Sequence, residues 1–257
     1  MEIAVFIKQV PDTTDVKWTK DNNIDRTNMD SIINPEDKSA IEGALILKEK
    51  LNAHTTAITM GPQKAQTILA EAIAMGIDDA LLLCDSKFAG SDTCATSNVL
   101  ASAIKNNIPD AKIILFGQTA IDGETGQTGI STAVKLNIPF ISRVSEIIEA
   151  NENEITVISE NEKEKITYKA KLPVALCISN FKNKPRLAKI DGYIKAQEYN
   201  YTCAKHSDLN LQQEETGIKG SPTYVSKVYK NDDSRCCKFI ESNNTTSIIE
   251  EIKGAIE

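Results

Sequence analysis

Hydrophobic residues follow two patterns that alternate along the first 140 positions of the chain. Short, almost continuously apolar runs occupy residues 3–7, 56–60, 80–84 and 113–116. Runs of this length and composition are typical of parallel strands that are covered on both faces. Between these runs, apolar residues recur at three- and four-residue intervals, which indicates amphipathic helices.

The first of these helices should begin at Pro35, a residue that suits a first helical turn. Glu36 and Asp37 follow it and complement the positive end of the helix dipole. A second helix is predicted over residues 63–75, and a third is predicted to follow Ser91. This alternation of strands and helices predicts an α/β fold with a doubly wound, Rossmann-like parallel sheet. In such folds, ligands bind beyond the carboxyl ends of the strands.

A glycine-rich segment, residues 118–129, follows the run at 113–116 and carries glycine at positions 123, 126 and 129. A buried strand, a glycine-rich turn and a helix together present backbone N–H groups to phosphate, because glycine lacks the Cβ that would block a close approach. The spacing is neither GxGxxG nor that of a P-loop, so an ordinary strand-to-helix turn is the alternative. The parallel topology should bring residues 8–12 and 60–62 to the same edge, which favours a nucleotide site.

Two carboxylates, Asp122 and Glu124, lie within the glycine-rich segment and would repel a phosphate group beside them. We therefore expect the main-chain N–H groups to bind phosphate. The carboxylates are expected to cap the following helix or to contact ribose hydroxyl groups instead.

Three segments depart from the strand–helix alternation. Residues 14–33 are predicted to form a surface β-hairpin, and residues 144–170 alternate apolar and charged positions, which predicts an antiparallel meander with one solvent-exposed face. Residues 205–245 are polar and lack a period, so we expect an extended arm that ends in an amphipathic helix over 248–256. We divide the chain into a nucleotide-binding domain, residues 1–200, and an arm with a terminal helix, residues 201–257, that docks on a partner subunit.

Composition narrows the possible functions. A net charge of −7 argues against nucleic-acid binding, and no apolar run approaches the roughly 20 residues that a membrane-spanning helix needs. The six cysteines lack CxxC spacing and the first residues lack a basic leader, so a reduced, cytoplasmic protein is expected. With two histidines and no GxSxG nucleophile motif, side-chain catalysis is not indicated, and any reaction would rely on a cofactor.

Six segments carry a more specific pattern. They are Ile-Lys-Gln-Val-Pro-Asp-Thr at 7–13, Asn-Pro-Glu-Asp at 34–37, Thr-Met-Gly-Pro at 59–62, Ala-Ile-Ala-Met-Gly at 72–76, the glycine-rich segment from Ala120 to Gly129, and Leu-Pro-Val-Ala-Leu at 172–176. In this order they resemble the β subunit of electron-transfer flavoproteins, over about residues 1–230. The stretch from Asn-Lys-Pro-Arg at 183–186 through Ile-Lys-Ala at 194–196 is similar to the recognition-loop region of that family.

The resemblance implies a heterodimer with an α subunit that carries an electron-transferring FAD. The β subunit of this family holds a second nucleotide, either AMP or FAD, at the position described above. Residues 88–97, Phe-Ala-Gly-Ser-Asp-Thr-Cys-Ala-Thr-Ser, resemble the electron-bifurcating group, whose β subunit binds FAD and accepts electrons from NADH. FAD is therefore favoured. Glu124, Gly126 and Ile130 depart from the residues common in the family, which leaves AMP as the alternative.

Three functions remain open. In the first, NADH reduces the FAD of this subunit, which passes electrons separately to the α-subunit FAD and to a low-potential carrier such as ferredoxin or flavodoxin. In the second, a structural AMP fills the site, and the heterodimer carries electrons from a flavin-dependent dehydrogenase such as an acyl-CoA dehydrogenase. The third is a free-standing adenine-nucleotide sensor, although the arm after residue 205 argues against it.

The resemblance also assigns individual residues. The residues expected to line the nucleotide site are Phe6, Asn34, Asp37, Met60, Asp92, Thr93, Thr96, Asp122, Gly123, Thr125, Gln127, Thr128 and Gly129. Ile190 is expected to anchor a dehydrogenase partner, with burial inside the subunit as the alternative, and Arg186 is assigned to the same partner surface. No catalytic side chain and no metal ligand is assigned.

Overall fold

A computed structural model describes residues 1–12, 31–226 and 244–256 of the chain. Within it, the chain forms two compact units, Met1–Val225 and Ser226–Glu257. The predicted hairpin strands around residues 16–18 and 24–26 lie outside the described residues. The end of that segment, Ser31–Ile33, pairs antiparallel with Gln9–Pro11.

The described part of the first unit contains the following elements. The strands are β1 (Glu2–Phe6), β2 (Gln9–Pro11), β3 (Ser31–Ile33), β4 (His54–Met60), β5 (Asp79–Leu83), β6 (Ala111–Gly117), β7 (Phe140–Ala150), β8 (Glu154–Glu160), β9 (Lys165–Lys171), β10 (Val174–Ile178) and β11 (Thr202–Ala204). The helices are α1 (Pro35–Leu51), α2 (Gln66–Met75), α3 (Thr93–Asn107), α4 (Thr128–Leu136) and α5 (Ile190–Glu198). The strands predicted at 3–7, 56–60, 80–84 and 113–116 are confirmed, as are the helices predicted from Pro35, over 63–75 and after Ser91.

Nine of the described strands form one sheet in the order β11-β5-β4-β1-β6-β10-β7-β8-β9. Neighbouring strands from β11 to β7 run parallel, whereas β7, β8 and β9 pair antiparallel. The predicted antiparallel meander is therefore present and extends the parallel sheet at one edge. The mostly parallel α/β fold expected from the sequence is confirmed.

The sheet is doubly wound about β1. The chain moves outward from β1 through β4 to β5 and then returns to place β6 on the other side of β1. Along β1, Ile3 and Val5 pack into the core beneath α1 and α2, whereas Ala4 and Phe6 pack into the core beneath α3 and α4. Burial on both faces explains why the strand reads as continuously apolar. The direction of winding reverses between β1 and β6, where folds of this kind open a ligand crevice.

The start of the predicted arm packs along the first unit. β11 joins the sheet edge beside β5, in parallel. Beyond it, the amide of Asn98 on α3 donates to the carbonyl of Glu215 at 2.9 Å, and the hydroxyl of Ser102 donates to the carbonyl of Leu209. Leu209 and Glu215 therefore lie against α3. Sequence periodicity missed β11 because three residues are too few to show alternation.

The second unit is described over residues 244–256, apart from Ser226 at its start. These residues form α6 (Thr245–Ile256), which includes the amphipathic helix predicted at 248–256. Among the residues that the structure describes, no helix has both the length and the apolar character needed to cross a membrane.

Candidate nucleotide site

The loops that follow β1 and β6 border the crevice at the switch point of the sheet. The glycine-rich segment leaves β6 at Gly117 and ends in α4, while Lys8 follows β1. Below the crevice, the rings of Phe6 and Phe116 stack with their centroids 4.8 Å apart. Phe6 is 5% exposed. It is therefore a core residue beneath α3 and α4, at the end of β1.

Asp37, on the first turn of α1, ties the two strand ends together. Its carboxylate accepts hydrogen bonds from the backbone N–H groups of Lys8 at 2.8 Å and Gly117 at 3.0 Å. Burial raises its pKa from 3.8 to about 7, although these hydrogen bonds favour the charged form. The side chain predicted to line the site thus acts from beneath it, by holding the ends of β1 and β6 in register.

Two neighbours of Asp37 hold the start of the glycine-rich segment. The amide of Asn34 donates to the carbonyl of Thr119 at 2.7 Å and accepts from the N–H of Ile121 at 3.2 Å. The carboxylate of Glu36 accepts from the N–H of Thr119 at 2.5 Å and from its hydroxyl at 2.9 Å. These long-range contacts make the beginning of α1 a clamp on residues 117–121. Sequence reasoning missed Glu36, because an acidic residue in a first turn already has a local explanation in the helix dipole.

Glycines shape the segment in three different ways. A Cβ at position 117 would lie 2.3 Å from the Asp37 carboxylate, so only glycine permits that hydrogen bond. Gly126 has a φ of +62°, in the left-handed region that favours glycine. A Cβ at Gly123 would meet no atom within 4 Å. The main chain at 123 is therefore open to a ligand.

The start of α4 offers N–H donors at the positive end of its dipole. Its N-cap residue, Gln127, makes no side-chain hydrogen bond to the first turn. Gly129 is buried, and a Cβ there would lie 2.6 Å from the Sγ atom of Cys177. The helix therefore begins close against the sheet with its first N–H groups uncapped by side chains. This arrangement fits an anionic group such as a phosphate.

Lys8 resolves the difficulty that Asp122 posed for phosphate binding. The Nζ atom of Lys8 lies 2.6 Å from the carboxylate of Asp122. The cation offsets the repulsion that the carboxylate alone would exert on a bound anion. The sequence placed residues 8–12 at this edge but did not assign a charge pairing to Lys8.

The start of α3 lies beside the start of α4. The hydroxyl of Thr93 donates to the Oε1 atom of Gln127 at 3.3 Å. Asp92 caps α3 by accepting from the N–H groups of Cys94 at 2.9 Å and Ala95 at 3.0 Å. The assigned residues that are partly or wholly exposed are Met60, Asp92, Thr93, Thr96, Asp122, Gly123, Thr125, Gln127 and Thr128.

The two residues assigned to a partner surface differ in their surroundings. Ile190 begins α5 and is 80% exposed in this chain. The guanidinium of Arg186 forms a two-pronged ion pair with Glu42 on α1, with both N–O distances at 2.9 Å, and also contacts Glu49 at 2.5 Å. The hydrogen bonds with Glu42 and Glu49 raise the pKa of Arg186 above its usual range. Arg186 is therefore engaged with α1.

No group of three or more histidine, cysteine, aspartate or glutamate side chains with metal-binding geometry occurs in the described ranges. The polar groups at the crevice include backbone N–H groups, hydroxyl groups and the ion pair of Lys8 with Asp122, a set that suits an anionic organic ligand.

The fold and the arrangement of loops define a doubly wound α/β protein with its crevice at the switch point. Comparison with known proteins identifies the family. Residues 21–198 match the electron transfer flavoprotein domain. The chain is 37% identical over 261 residues to the electron transfer flavoprotein subunit beta of Megasphaera elsdenii, covering 98% of this chain and 96% of that protein.

Other relatives are named for electron-transfer assemblies. The chain is 37% identical over 231 residues to the caffeyl-CoA reductase-Etf complex subunit CarD of Acetobacterium woodii, covering 89% of this chain and 87% of that protein. It is 34% identical over 252 residues to protein FixA of Azotobacter vinelandii, covering 95% of this chain and 90% of that protein. The chain belongs to the electron transfer flavoprotein family and is similar over nearly its whole length to the β subunits of that family.

Proposed function

We propose that this chain is the β subunit of a heterodimeric electron-transfer flavoprotein and holds an FAD in the crevice between β1 and β6. The observation that carries this proposal is the start of α4, whose first turn has no side-chain cap and follows an open main chain at Gly123. Bound phosphate groups would accept hydrogen bonds from those N–H groups. The paired Lys8 and Asp122 would lie at the edge of the same ligand.

The residues beneath the site would keep the crevice in its binding shape. Asn34, Glu36 and Asp37 hold the loops, so little conformational freedom would be lost when the nucleotide binds. When bound, an FAD would supply the redox chemistry, accepting a hydride from NADH and releasing electrons towards the α-subunit FAD and a low-potential carrier such as ferredoxin or flavodoxin. The chain's own residues would bind and orient the cofactor.

The segment 88–97 supports FAD over AMP. Its Asp92, Thr93 and Thr96 lie at the start of α3, and Thr93 contacts Gln127 of the glycine-rich segment. The site would therefore extend from α4 to α3, and a dinucleotide needs more contact length than AMP. A structural AMP remains the second candidate, favoured by the departures from the family pattern at Glu124, Gly126 and Ile130.

The proposed partner surface lies around the start of α5. Leu187 is 90% exposed and Ile190 is 80% exposed, and the exposed side chains of Lys184 and Lys189 lie beside them in sequence. Exposed apolar side chains with a charged rim are typical of protein interfaces. The occupant would be a flavin-dependent dehydrogenase, and the relative named as the acryloyl-CoA reductase electron transfer subunit gamma of Anaerotignum propionicum supports one that acts on acyl-CoA substrates.

The proposal is tested by counting nucleotides. The chain is co-expressed with its α subunit, the purified heterodimer is denatured, and the released nucleotides are separated and quantified. Two FAD per heterodimer, together with reduction by NADH, is the expected result. A result of one FAD and one AMP per heterodimer would overturn the NADH-linked function and favour the second candidate, an electron carrier with a structural AMP. An intact heterodimer without a nucleotide attributable to this subunit would overturn the assignment of the site.

A further inference from the structure

The last part of the first unit, residues 216–223, is seated on the loop that leads into α3. We call these residues the strap. Gly217 has a φ of +59°, and a Cβ there would lie 2.4 Å from the carbonyl oxygen of Lys87. A Cβ at Gly90 would lie 2.5 Å from the side chain of Ile218. Glycine at 217 therefore permits a close backbone approach to Lys87, and glycine at 90 leaves space for the side chain of Ile218.

Hydrogen bonds join the strap to Ser91 and Asp92. The N–H of Gly217 donates to the hydroxyl of Ser91 at 3.0 Å, and the N–H of Asp92 donates to the hydroxyl of Ser221 at 2.8 Å. Ser221 in turn donates to the carbonyl of Gly217 at 2.7 Å. The strap is therefore bonded to the loop by its main chain as well as by its side chains.

Asp92 divides its carboxylate between the strap and α3. Its Oδ1 atom accepts the N–H groups of Cys94 and Ala95, which caps the helix. Its Oδ2 atom accepts the N–H of Thr223 at 3.0 Å and the hydroxyl of Thr223 at 2.7 Å. Burial opposes ionisation, but these hydrogen bonds hold the pKa of Asp92 below its usual range. Asp92 is thus a fixed charge between the two elements.

The contacts continue from α3 to the glycine-rich segment. Thr93 follows Asp92, and its hydroxyl donates to Gln127 at the start of α4. The hydrogen bonds of Thr223 to Asp92 and of Thr93 to Gln127, joined by the peptide bond between Asp92 and Thr93, therefore connect the strap to the helix start that is proposed to bind phosphate. The sequence separation between Thr223 and Asp92 is 131 residues, so local pattern does not reveal this connection.

We propose that Thr223 and Ser221 are positioning residues of the nucleotide site, which hold Asp92 and the start of α3 in the binding conformation. This inference rests on the proposed nucleotide-binding function. Without the strap, the start of α3 would sample other positions, and the apparent dissociation constant would rise as the binding-competent fraction falls. Thr223 lies two residues before Val225, the last residue of the first unit, so a partner that binds the residues beyond Val225 would influence nucleotide affinity through this contact.

The test compares variants of the heterodimer stripped of the nucleotide in this subunit, with AMP and FAD as the probes. Thr223→Val removes the hydroxyl donor and keeps the shape of the side chain. Thr223→Ser restores the hydroxyl. Thr202→Val makes the same chemical change at an exposed threonine of β11 and serves as the matched control. We expect Thr223→Val to weaken nucleotide binding about tenfold, the equivalent of ~1.4 kcal/mol. Thr223→Ser and Thr202→Val should bind the nucleotide as the unaltered protein does.

A double-mutant cycle separates positioning from a general loss of structure. Asp92→Ser keeps an N-cap hydroxyl for α3 but removes the acceptor of Thr223. If Thr223 acts through Asp92, the double variant binds no more weakly than Asp92→Ser alone. Hydrogen exchange of the Cys94 and Ala95 amides supplies a second measure, and it should accelerate in Thr223→Val but not in Thr202→Val.

Three results would overturn the inference. They are unchanged binding in Thr223→Val, equal weakening in Thr223→Val and Thr202→Val, and full additivity in the cycle with Asp92→Ser. A heterodimer that binds neither AMP nor FAD before any substitution would instead overturn the proposed function and this inference together. Ser221→Ala provides an independent variant, in which the same direction of change is expected.

Discussion

Gly129 occupies a position at which even one added carbon has no space. Its Cβ would lie 2.6 Å from the Sγ atom of Cys177, 3.3 Å from Phe116 and 3.4 Å from Phe140. Gly129→Val should therefore displace the start of α4, destabilise the chain by about 1–3 kcal/mol and abolish nucleotide retention. The measurement is the nucleotide content of the purified heterodimer.

The control for this prediction is Gly123→Ala, since a Cβ at Gly123 meets no atom within 4 Å. We expect this variant to fold normally, with a smaller effect on retention. A Gly129→Val heterodimer that carries its full complement of nucleotide would refute the placement of the site at the start of α4.

Asp37 makes the stability of the chain depend on pH. Its pKa is raised by burial from 3.8 to about 7, so the folded chain binds this proton more tightly than the unfolded chain. The resulting stabilisation is fully present below about pH 4 and is lost as the pH rises through about 7. The shift corresponds to at most ~4 kcal/mol.

The test of this pH dependence compares thermal unfolding of the heterodimer with and without Asp37→Asn from pH 4 to pH 8. The unaltered protein should lose stability relative to the variant as the pH rises. Asp191→Asn, at an exposed carboxylate on α5, is the control and should follow the unaltered protein. Parallel curves for Asp37→Asn and the unaltered protein would contradict the assignment.

At the scale of elements, the loop before α5 is held at both ends. Arg186 pairs with Glu42 on α1, and Gly192 of α5 lies so close to α2 that a Cβ there would be 2.2 Å from the carbonyl oxygen of Ala74. Between these two points, Leu187 and Ile190 project into solvent. The structure thus separates the residue that fixes the loop from the residues free to contact a partner.

Arg186→Ala should weaken both folding and partner transfer. Glu42 is only 6% exposed, and its carboxylate would lose its cation, so we expect a loss of about 2–4 kcal/mol in the free energy of unfolding. The stability of Arg186→Lys should lie between that of the unaltered protein and that of Arg186→Ala, because lysine keeps the charge but cannot form the two-pronged pair. Thermal unfolding and the rate of flavin reduction by an acyl-CoA dehydrogenase measure the two effects.

Ile190→Ala should give a different combination of effects. Because its side chain is 80% exposed, stability should change by less than about 0.5 kcal/mol, with nucleotide retention preserved. Only the rate of electron transfer with the dehydrogenase should fall. Unchanged transfer kinetics would remove Ile190 from the partner surface, and a large loss of stability would favour a structural role for it.

At the scale of the whole molecule, the chain consists of two units that meet in sequence after Val225. The described hydrogen bonds of β11 and the strap lie within the first unit. A chain truncated after Val225 should therefore keep its α/β content in circular dichroism and unfold cooperatively. We expect it to lose affinity for the α subunit, to which the arm is proposed to bind.

Co-purification of the truncated chain with a tagged α subunit measures this affinity. A matched chain that lacks only the final residues from 254 onward is the control. Equal recovery of all three chains with the α subunit would refute the proposed role of the arm.

Sequence reasoning was most reliable where local physics decides the outcome. Buried parallel strands must be apolar on both faces, and this requirement made β1, β4, β5 and β6 recognisable from composition alone. The glycine-rich segment was recognisable for a similar local reason. Where the backbone approaches another group closely there is no space for a Cβ, so glycine occupies the position. The loops around the crevice were placed together by the parallel topology that these strands imply.

The hydrogen-bond partners of individual polar side chains could not be predicted from the sequence in this way. Asn34, Asp37 and Asp92 were assigned to the ligand, yet their polar atoms bond to other parts of the chain. An aspartate that supports a loop and one that contacts a ligand have the same appearance in a sequence. Only the position of its hydrogen-bond partners distinguishes them.

The sequence by itself therefore determined the order of strands and helices, the doubly wound fold and the location of the glycine-rich segment, because these follow from periodicity and backbone sterics within short stretches. The tertiary structure alone decided that Arg186 pairs with Glu42 across 144 residues, that β11 extends the sheet, and that Thr223 holds Asp92. Such contacts depend on which distant segments the fold brings together. Each pair contributes to stability only after the fold has placed both partners side by side.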